Sequence, residues 1–173
     1  MKAPKKNENV RPLTDRVRGA LFNILMHKVD GSRFLDLYAG TGAVGIEALS
    51  RGAVSAIFVE INRTLAKLIK DNLALLDFAA LAKVYEIDAA KAVNILSEKK
   101  EKFDIIFTGA PYDDPSLVIV MENLGKADLL DNSGVLVIEH RKQYDLPEEF
   151  GKYKRVRFDR YGETVLDFYK TKI

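Results

Sequence analysis

Residues 107 to 114 read "FTGAPYDD", where an apolar run from Phe103 to Phe107 gives way to a small residue, a proline, an aromatic and two acids. Such a stretch can hold an amine-bearing base. Tyr112 can stack on the ring, and the carbonyl of Ala110 or Gly109 can accept from the amine. The lone pair of an exocyclic amine is delocalised into its ring, so it attacks poorly unless acceptors draw its hydrogens and permit pyramidalisation. A side-chain acceptor normally stands at the position occupied here by Gly109. Losing one such hydrogen bond costs about 1.5 to 3 kcal/mol, or roughly ten- to 150-fold in rate if felt only in the transition state. Positioning survives that loss. Gly109, Ala110, Pro111 and Tyr112 are therefore candidate catalytic residues of a weakened site, while Asp113 and Asp114 are expected to form a turn or cap a helix.

A second constellation lies upstream in "DLYAGTGAVGIEAL", where Gly40, Gly42 and Gly45 match G-x-G-x-x-G at a strand-to-helix junction. Alone, the pattern fits a dinucleotide as well as other nucleotide-like ligands. Asp36, four residues before the first glycine, separates the readings. A carboxylate there repels a pyrophosphate, whereas S-adenosyl-L-methionine has no phosphate and carries an ammonium and a sulfonium. The alternative is that Asp36 caps the turn and the glycines serve only backbone geometry. Glu60, ending "IFVE", can accept two ribose hydroxyls about 20 residues beyond the loop. Asp88, ending "VYEID", can receive an adenine amine, with Ala89 small enough for the ring to lie close. Either acid taken alone could instead be a helix N-cap.

Alternating elements must position these residues. "RPLTDRVRGALFNILMHKV" places Val17, Leu21, Phe22, Leu25 and Met26 at helical spacing, with Thr14 or Asp15 as N-cap. "RFLDLYA" and "SAIFVEI" read as buried strands around a helix near 44–50. "RTLAKLIKDNLALL" is a helix, "AKVYEID" a strand, "AAKAVNILSEK" a helix and "FDIIFTG" a fourth strand. "PSLVIVMENLGKADLL" reads as helix, "GVLVIEH" as a fifth strand, and "KYKRVRFDRYGETVLDFYK" as two strands joined around Tyr161-Gly162. The prediction is a Rossmann-like α/β domain with a mostly parallel sheet, helices on both faces and an antiparallel C-terminal edge.

The chain has 173 residues, 47% hydrophobic and 30% charged, enough for one domain spanning 1–173 with a basic segment at about 1–13. With no cysteine, disulfides and Cys-based zinc sites are excluded. His27 and His140 are too isolated to suggest a metal site, so none is predicted. No apolar run approaches a membrane span and "MKAPKKNENV" lacks a signal-peptide core, so a cytoplasmic protein is expected. Basic residues outnumber acidic six to two over 1–20 and nine to six over 141–173, but fall behind, 12 to 17, between. If the two ends share a face they form a surface for a phosphate backbone; otherwise they merely solvate the termini. In "KYKRVRFDR" alternation is expected to bury the apolar side chains and turn much of the charge outward. A monomer is expected, because no extended exposed apolar pattern is evident.

In order, "RPLTDRVRGALFNIL", "FLDLYAGTGAVGIEALSRGA", "VE", "IDA", "FDIIFTGAPY" and "RYGETVLDFY" resemble the bacterial methyltransferases that modify the N2 amine of one guanine in small-subunit ribosomal RNA. The resemblance covers about Lys2 to Lys170. It implies a class I methyltransferase fold with a seven-stranded sheet, S-adenosyl-L-methionine as donor, and small-subunit ribosomal RNA or its assembly particle as partner. It also implies that Thr14, Asp15 and Arg16 lie beside the methionine end of the cofactor. The cofactor set is then Thr14, Arg16, Asp36, Ala39, Gly40, Gly42, Glu60, Asp88 and Ala89. Two departures stand out. The family usually has a basic hairpin before its "RP" element, and it carries Asp or Asn, Pro, Pro and an aromatic where this chain has Gly109 to Tyr112. The alternative function is a cofactor- and RNA-binding module without useful turnover. A small-molecule or protein methyltransferase is disfavoured by the base-stacking loop and basic ends, and a nicotinamide dehydrogenase by Asp36.

Overall fold

A computed structural model of the chain describes residues 1–2, 13–110 and 115–172. Helix α1 (Asp15–Val29) is followed by β1 (Arg33–Leu37), α2 (Ala43–Ser50), β2 (Ser55–Val59), α3 (Arg63–Leu75), β3 (Ala82–Tyr85), α4 (Ala89–Glu98) and β4 (Phe103–Thr108). Then come α5 (Ser116–Lys126), β5 (Leu130–Arg141), β6 (Glu149–Phe150), β7 (Tyr153–Tyr161) and β8 (Thr164–Thr171). The strands form one sheet in the order β3-β2-β1-β4-β5-β8-β7-β6. The first five are mutually parallel and the last three are added antiparallel. From β1 the chain runs outward through β2 and β3, then returns to place β4 on the other side. The crevice above β1 and β4 is therefore the switch point at which ligands bind in such sheets.

Strand alternation divides the core into two layers. Phe34, Phe58, Ile105, Phe107, Val135 and Val137 meet the buried sides of α1, α2 and α3, whereas Leu35, Val59, Ile106, Leu136 and Ile138 meet α4 and α5. Each fully buried side chain of this size contributes about 1.5 to 3 kcal/mol. In α1 the Thr14 hydroxyl accepts from the Val17 N–H at 3.3 Å, and His27 and Lys28 occupy the last turn. The negative end of the helix dipole favours those residues.

Several expectations change. The sheet has eight strands rather than seven, because Glu149–Phe150 pairs with the outer edge of β7. Two residues are too few to show alternation in sequence. The helix expected to reach Leu130 ends at Lys126, and β5 begins at Leu130 with an irregular register opposite Phe103 and Ile105. Met26 is 58% exposed, since the apolar stripe of α1 runs from Leu21 through Leu25 to Val29.

The C-terminal basic strand also differs. A register shift between Arg155 and Arg157 breaks the alternation of β7, leaving Val156 and Phe158 55% and 64% exposed. Its charges are extensively paired: Lys152 with Asp128, Arg155 with Asp167 and Arg157 with Asp159. The expected outward basic stripe is therefore largely neutralised. At the other terminus, the Lys2 backbone N–H donates to the Asn72 side chain on α3 at 2.6 Å. That helix joins β2 to β3, so Lys2 and β7 lie toward opposite edges of the sheet. The rest of the basic N-terminal segment, 3–12, lies outside the described residues.

Candidate active site

The turn after β1 is built for a close approach of backbone to ligand. Tyr38, Gly40 and Gly42 have positive φ values of 57°, 58° and 77°. Ala39 N–H donates to the Val59 carbonyl at 2.9 Å and Gly42 N–H to the Ala39 carbonyl at 2.8 Å, closing the turn. A Cβ on Gly42 would stand 2.9 Å from Ile69 Cγ1, and one on Gly45 would collide with the Phe58 ring. The third glycine thus lets α2 pack directly on β2.

Asp36 lies within β1 and is 1% exposed. Its Oδ2 accepts from the Gly45 N–H at 2.9 Å, whereas Oδ1 is buried and has no hydrogen-bond partner. Burial pushes the carboxyl up to about 7; the Gly45 hydrogen bond opposes this rise and the charge of Glu60 adds to it. Asp36 does tie down the turn, as the alternative reading had it, but half of its carboxylate is left over.

Glu60 directly follows β2 and is 9% exposed. Its Oε2 accepts from Gly40 N–H and its Oε1 from Asn62 N–H, each at 2.8 Å. Burial raises its pKa against these backbone donors. Each carboxylate oxygen can accept a second hydrogen bond. Asp88 stands three residues beyond the end of β3 and caps α4, with Oδ1 accepting from Lys91 N–H at 3.1 Å. This is the N-cap role weighed for it, and it leaves Oδ2 for another donor. Ala89 beside it is buried. Thr14 is occupied as the cap of α1, while Arg16 is exposed with no ion-pair partner among the described residues. The structure thus brings Asp36, Ala39, Gly40, Gly42 and Glu60 together at one turn.

At the end of β4, Gly109 N–H donates to the Leu37 carbonyl at 3.4 Å, bridging the crevice. Ala110 is 5% exposed. Pro111, Tyr112, Asp113 and Asp114 lie outside the described residues. A Cβ on Gly109 would stand 2.9 Å from Oε2 of Glu139, which is itself 8% exposed on β5. Sequence reading missed Glu139, taking "GVLVIEH" as a core strand. The available signal was the same one used for Glu60: an acid near the C-terminal end of an apolar run.

A cavity of about 870 Å³ adjoins Ala110 and Glu139, between α5 and the segment from Arg141 to Gly151. Its far wall is anchored by polar contacts beneath it. Tyr169 OH donates to the Pro147 carbonyl at 2.8 Å and Arg155 to the Leu146 carbonyl at 3.2 Å. Arg155 and His140 Nε2 both contact Asp167, which is 1% exposed. Among the described residues, no group of three or more His, Cys, Asp or Glu is arranged to hold a metal, and no helix is long and apolar enough to cross a membrane.

Comparison with known proteins follows this geometry. The family model described as conserved hypothetical protein 95 matches residues 1–170. Bacillus subtilis YlbH, provisionally named as an rRNA methyltransferase, is 36% identical over 162 residues, covering 94% of this chain and 88% of that protein. Ribosomal RNA small subunit methyltransferase D of Escherichia coli K12 is 33% identical over 138 residues, covering 80% of this chain and 68% of that protein. A solved structure from Escherichia coli, provisionally named methyltransferase yhhF, superposes with a TM-score of 0.83 at 28% identity, covering 95% of this chain and 89% of that one. Strand order, glycine turn and sequence agree: this chain belongs to the conserved hypothetical protein 95 family, among relatives named as ribosomal RNA methyltransferases.

Proposed function

We propose that the protein transfers a methyl group from S-adenosyl-L-methionine to the N2 amine of a guanine in small-subunit ribosomal RNA. The observation that carries the cofactor reading is the unpartnered Oδ1 of Asp36, buried beneath a glycine turn and close enough to Glu60 to feel its charge. Two neighbouring carboxylates disfavour a phosphate and favour a cation. The residues therefore fit S-adenosyl-L-methionine, which when bound supplies an electrophilic methyl group on a sulfonium. The names of the relatives support ribosomal RNA as the acceptor.

In this reading Asp36 draws the cationic end of the cofactor, and Glu60 takes the ribose hydroxyls on its remaining lone pairs. Asp88 receives the adenine amine through Oδ2, with Ala89 leaving room for the ring. Ala39, Gly40 and Gly42 let the backbone approach, and Thr14 and Arg16 serve the methionine end. On the acceptor side, Tyr112 and Pro111 hold the extruded base, and the carbonyls of Gly109 and Ala110 accept from its amine. Fixed placement of the two reactants supplies much of such a rate enhancement.

The absent side chain at Gly109 favours a second reading, a module that binds cofactor and RNA without turnover. One experiment separates them. Labelled S-adenosyl-L-methionine is incubated with unmethylated small-subunit RNA and with assembly particles, and the label is located. Label at guanine N2 is expected; cofactor binding without transfer would establish the second reading, and tight NAD binding without S-adenosyl-L-methionine binding would overturn both.

A further inference from the structure

Gly109 and Glu139 complement one another across two strands. Thr108 is level with Ile138 in the parallel register of β4 and β5, so Gly109 is level with Glu139. Alternation carries both positions to the face occupied by Phe107 and Val137, the side covered by α1, α2 and α3. A Cβ on Gly109 would meet Glu139 Oε2 at 2.9 Å and the Phe107 ring at 3.2 Å. The carboxylate thus occupies the space into which a side chain at 109 would project. Glu139 is 8% exposed and continues the fully apolar run from Val135 to Ile138. Glu139 stands one strand from the β1–β4 crevice, beside Gly109, whose N–H donates to the Leu37 carbonyl across it.

We propose that Glu139 is a catalytic residue, the acceptor for the amine hydrogens of the substrate base, supplied by β5 to the space that Gly109 leaves open on β4. The role rests on the methyl-transfer reading above. Methylation of an amine forms a nitrogen–carbon bond with the nitrogen lone pair, and the electron pair of the broken carbon–sulfur bond leaves with sulfur. The nitrogen then carries one proton too many. Glu139 accepts a hydrogen bond from the amine as the lone pair is freed, takes the surplus proton and passes it to water. The side-chain acceptor missing at 109 is supplied by the neighbouring strand.

The test compares Glu139→Ala, Glu139→Gln and the double variant Gly109→Asp, Glu139→Ala with the unaltered protein. Glu139→Ala is expected to lower the transfer rate by roughly ten- to 150-fold, and Glu139→Gln, which keeps an acceptor but cannot take the proton, by less, both leaving the affinity for S-adenosyl-L-methionine unchanged. The double variant, in which the Glu139 carboxylate no longer blocks a side chain at 109 and only the Phe107 ring, 3.2 Å from the Cβ, must give, is expected to recover part of the rate. A second readout needs no turnover. The unaltered protein should bind a guanosine-containing oligonucleotide more tightly than its inosine counterpart, which lacks the amine, and Glu139→Ala should abolish that preference. If Glu139→Ala fails to fold, Glu139→Met, of similar length and without an oxygen acceptor, decides. Transfer by the unaltered protein that persists at full rate in the single variants, with the guanosine preference intact, would overturn this role alone. No transfer to any RNA by the unaltered protein would overturn the role together with the reading beneath it.

Discussion

Asp36 reaches over the glycine turn to accept the backbone N–H of Gly45 at 2.9 Å with one oxygen, and buries the other without a partner. Gly45 is also the position where α2 rests on the Phe58 ring, so the contact couples the packing of the helix to the charge beneath the turn.

That coupling gives the ligand-free protein a defined pH response. Asp36 titrates near 7 in the folded state, well above its ordinary value of 3.8. Between those pH values the folded chain holds a proton that the unfolded chain has released, so this group's contribution to stability falls as pH rises through that window. Asp36→Asn keeps an acceptor for Gly45 and removes the titration. Melting temperatures between pH 5 and 8 should decline more steeply for the unaltered protein than for the variant. Parallel declines would show that Asp36 does not titrate in that range.

The same residue predicts how cofactor affinity depends on pH. A cation binds the ionised carboxylate, so affinity of the unaltered protein for S-adenosyl-L-methionine should weaken as pH falls below about 7, the value to which burial raises Asp36. Asp36→Asn should bind more weakly at pH 8, by roughly ten-fold or more for a lost charge-assisted contact. Its residual affinity should be flat with pH. Calorimetric titration across the range measures both, and unchanged affinity in Asp36→Asn would remove the residue from the site.

Gly45→Ala drives a methyl group into the Phe58 ring and to 3.1 Å from Asp36 Oδ2. Overpacking of this kind costs about 1 to 3 kcal/mol, which corresponds to a melting temperature lower by roughly 2 to 12 °C for a chain of this size. Cofactor affinity should fall with it, because the helix start and the carboxylate move together. A variant as stable as the unaltered protein would mean that α2 can slide off β2 without cost.

Two arginines on β7 should differ sharply. Arg155→Ala leaves Asp167, 1% exposed, without its guanidinium partner and releases the Leu146 carbonyl. Removing one member of a buried pair typically costs about 3 to 5 kcal/mol. The segment from Lys142 to Glu148 should then exchange amide hydrogens faster. Arg157, half-exposed and paired with Asp159, should cost about 0 to 1 kcal/mol on replacement by alanine. Denaturant titration of both variants tests the contrast, and equal losses would contradict it.

Much of this molecule was legible in its residues. The alternation of apolar runs with amphipathic stretches locates β1, α2, β2, α3 and α4 closely, since those elements are set by local period and by caps such as Thr14 and Asp88. The glycine turn and the acids Asp36 and Glu60 followed from chemistry at fixed spacing. What escaped depends on distant partners. Glu149 and Phe150 become a strand only because Lys154 and Tyr153 stand beside them, and Val156 faces solvent only because β7 shifts register against β8. Glu139 carried the same local signal as Glu60, but its proximity to Gly109 is a property of two strands pairing and is invisible in either one alone.

The order of the strands has one more consequence. Asp36, Glu60 and Asp88 come from β1 and the strands added outward from it, whereas Gly109 and Glu139 come from β4 and β5 on the other side of the crevice. On the proposed reading, donor and acceptor are handled by separate halves of one sheet, joined along the β1–β4 seam and the Gly109–Leu37 hydrogen bond at its mouth. Changes at the ends of β4 and β5 should therefore alter the choice of acceptor without touching the residues proposed for the donor.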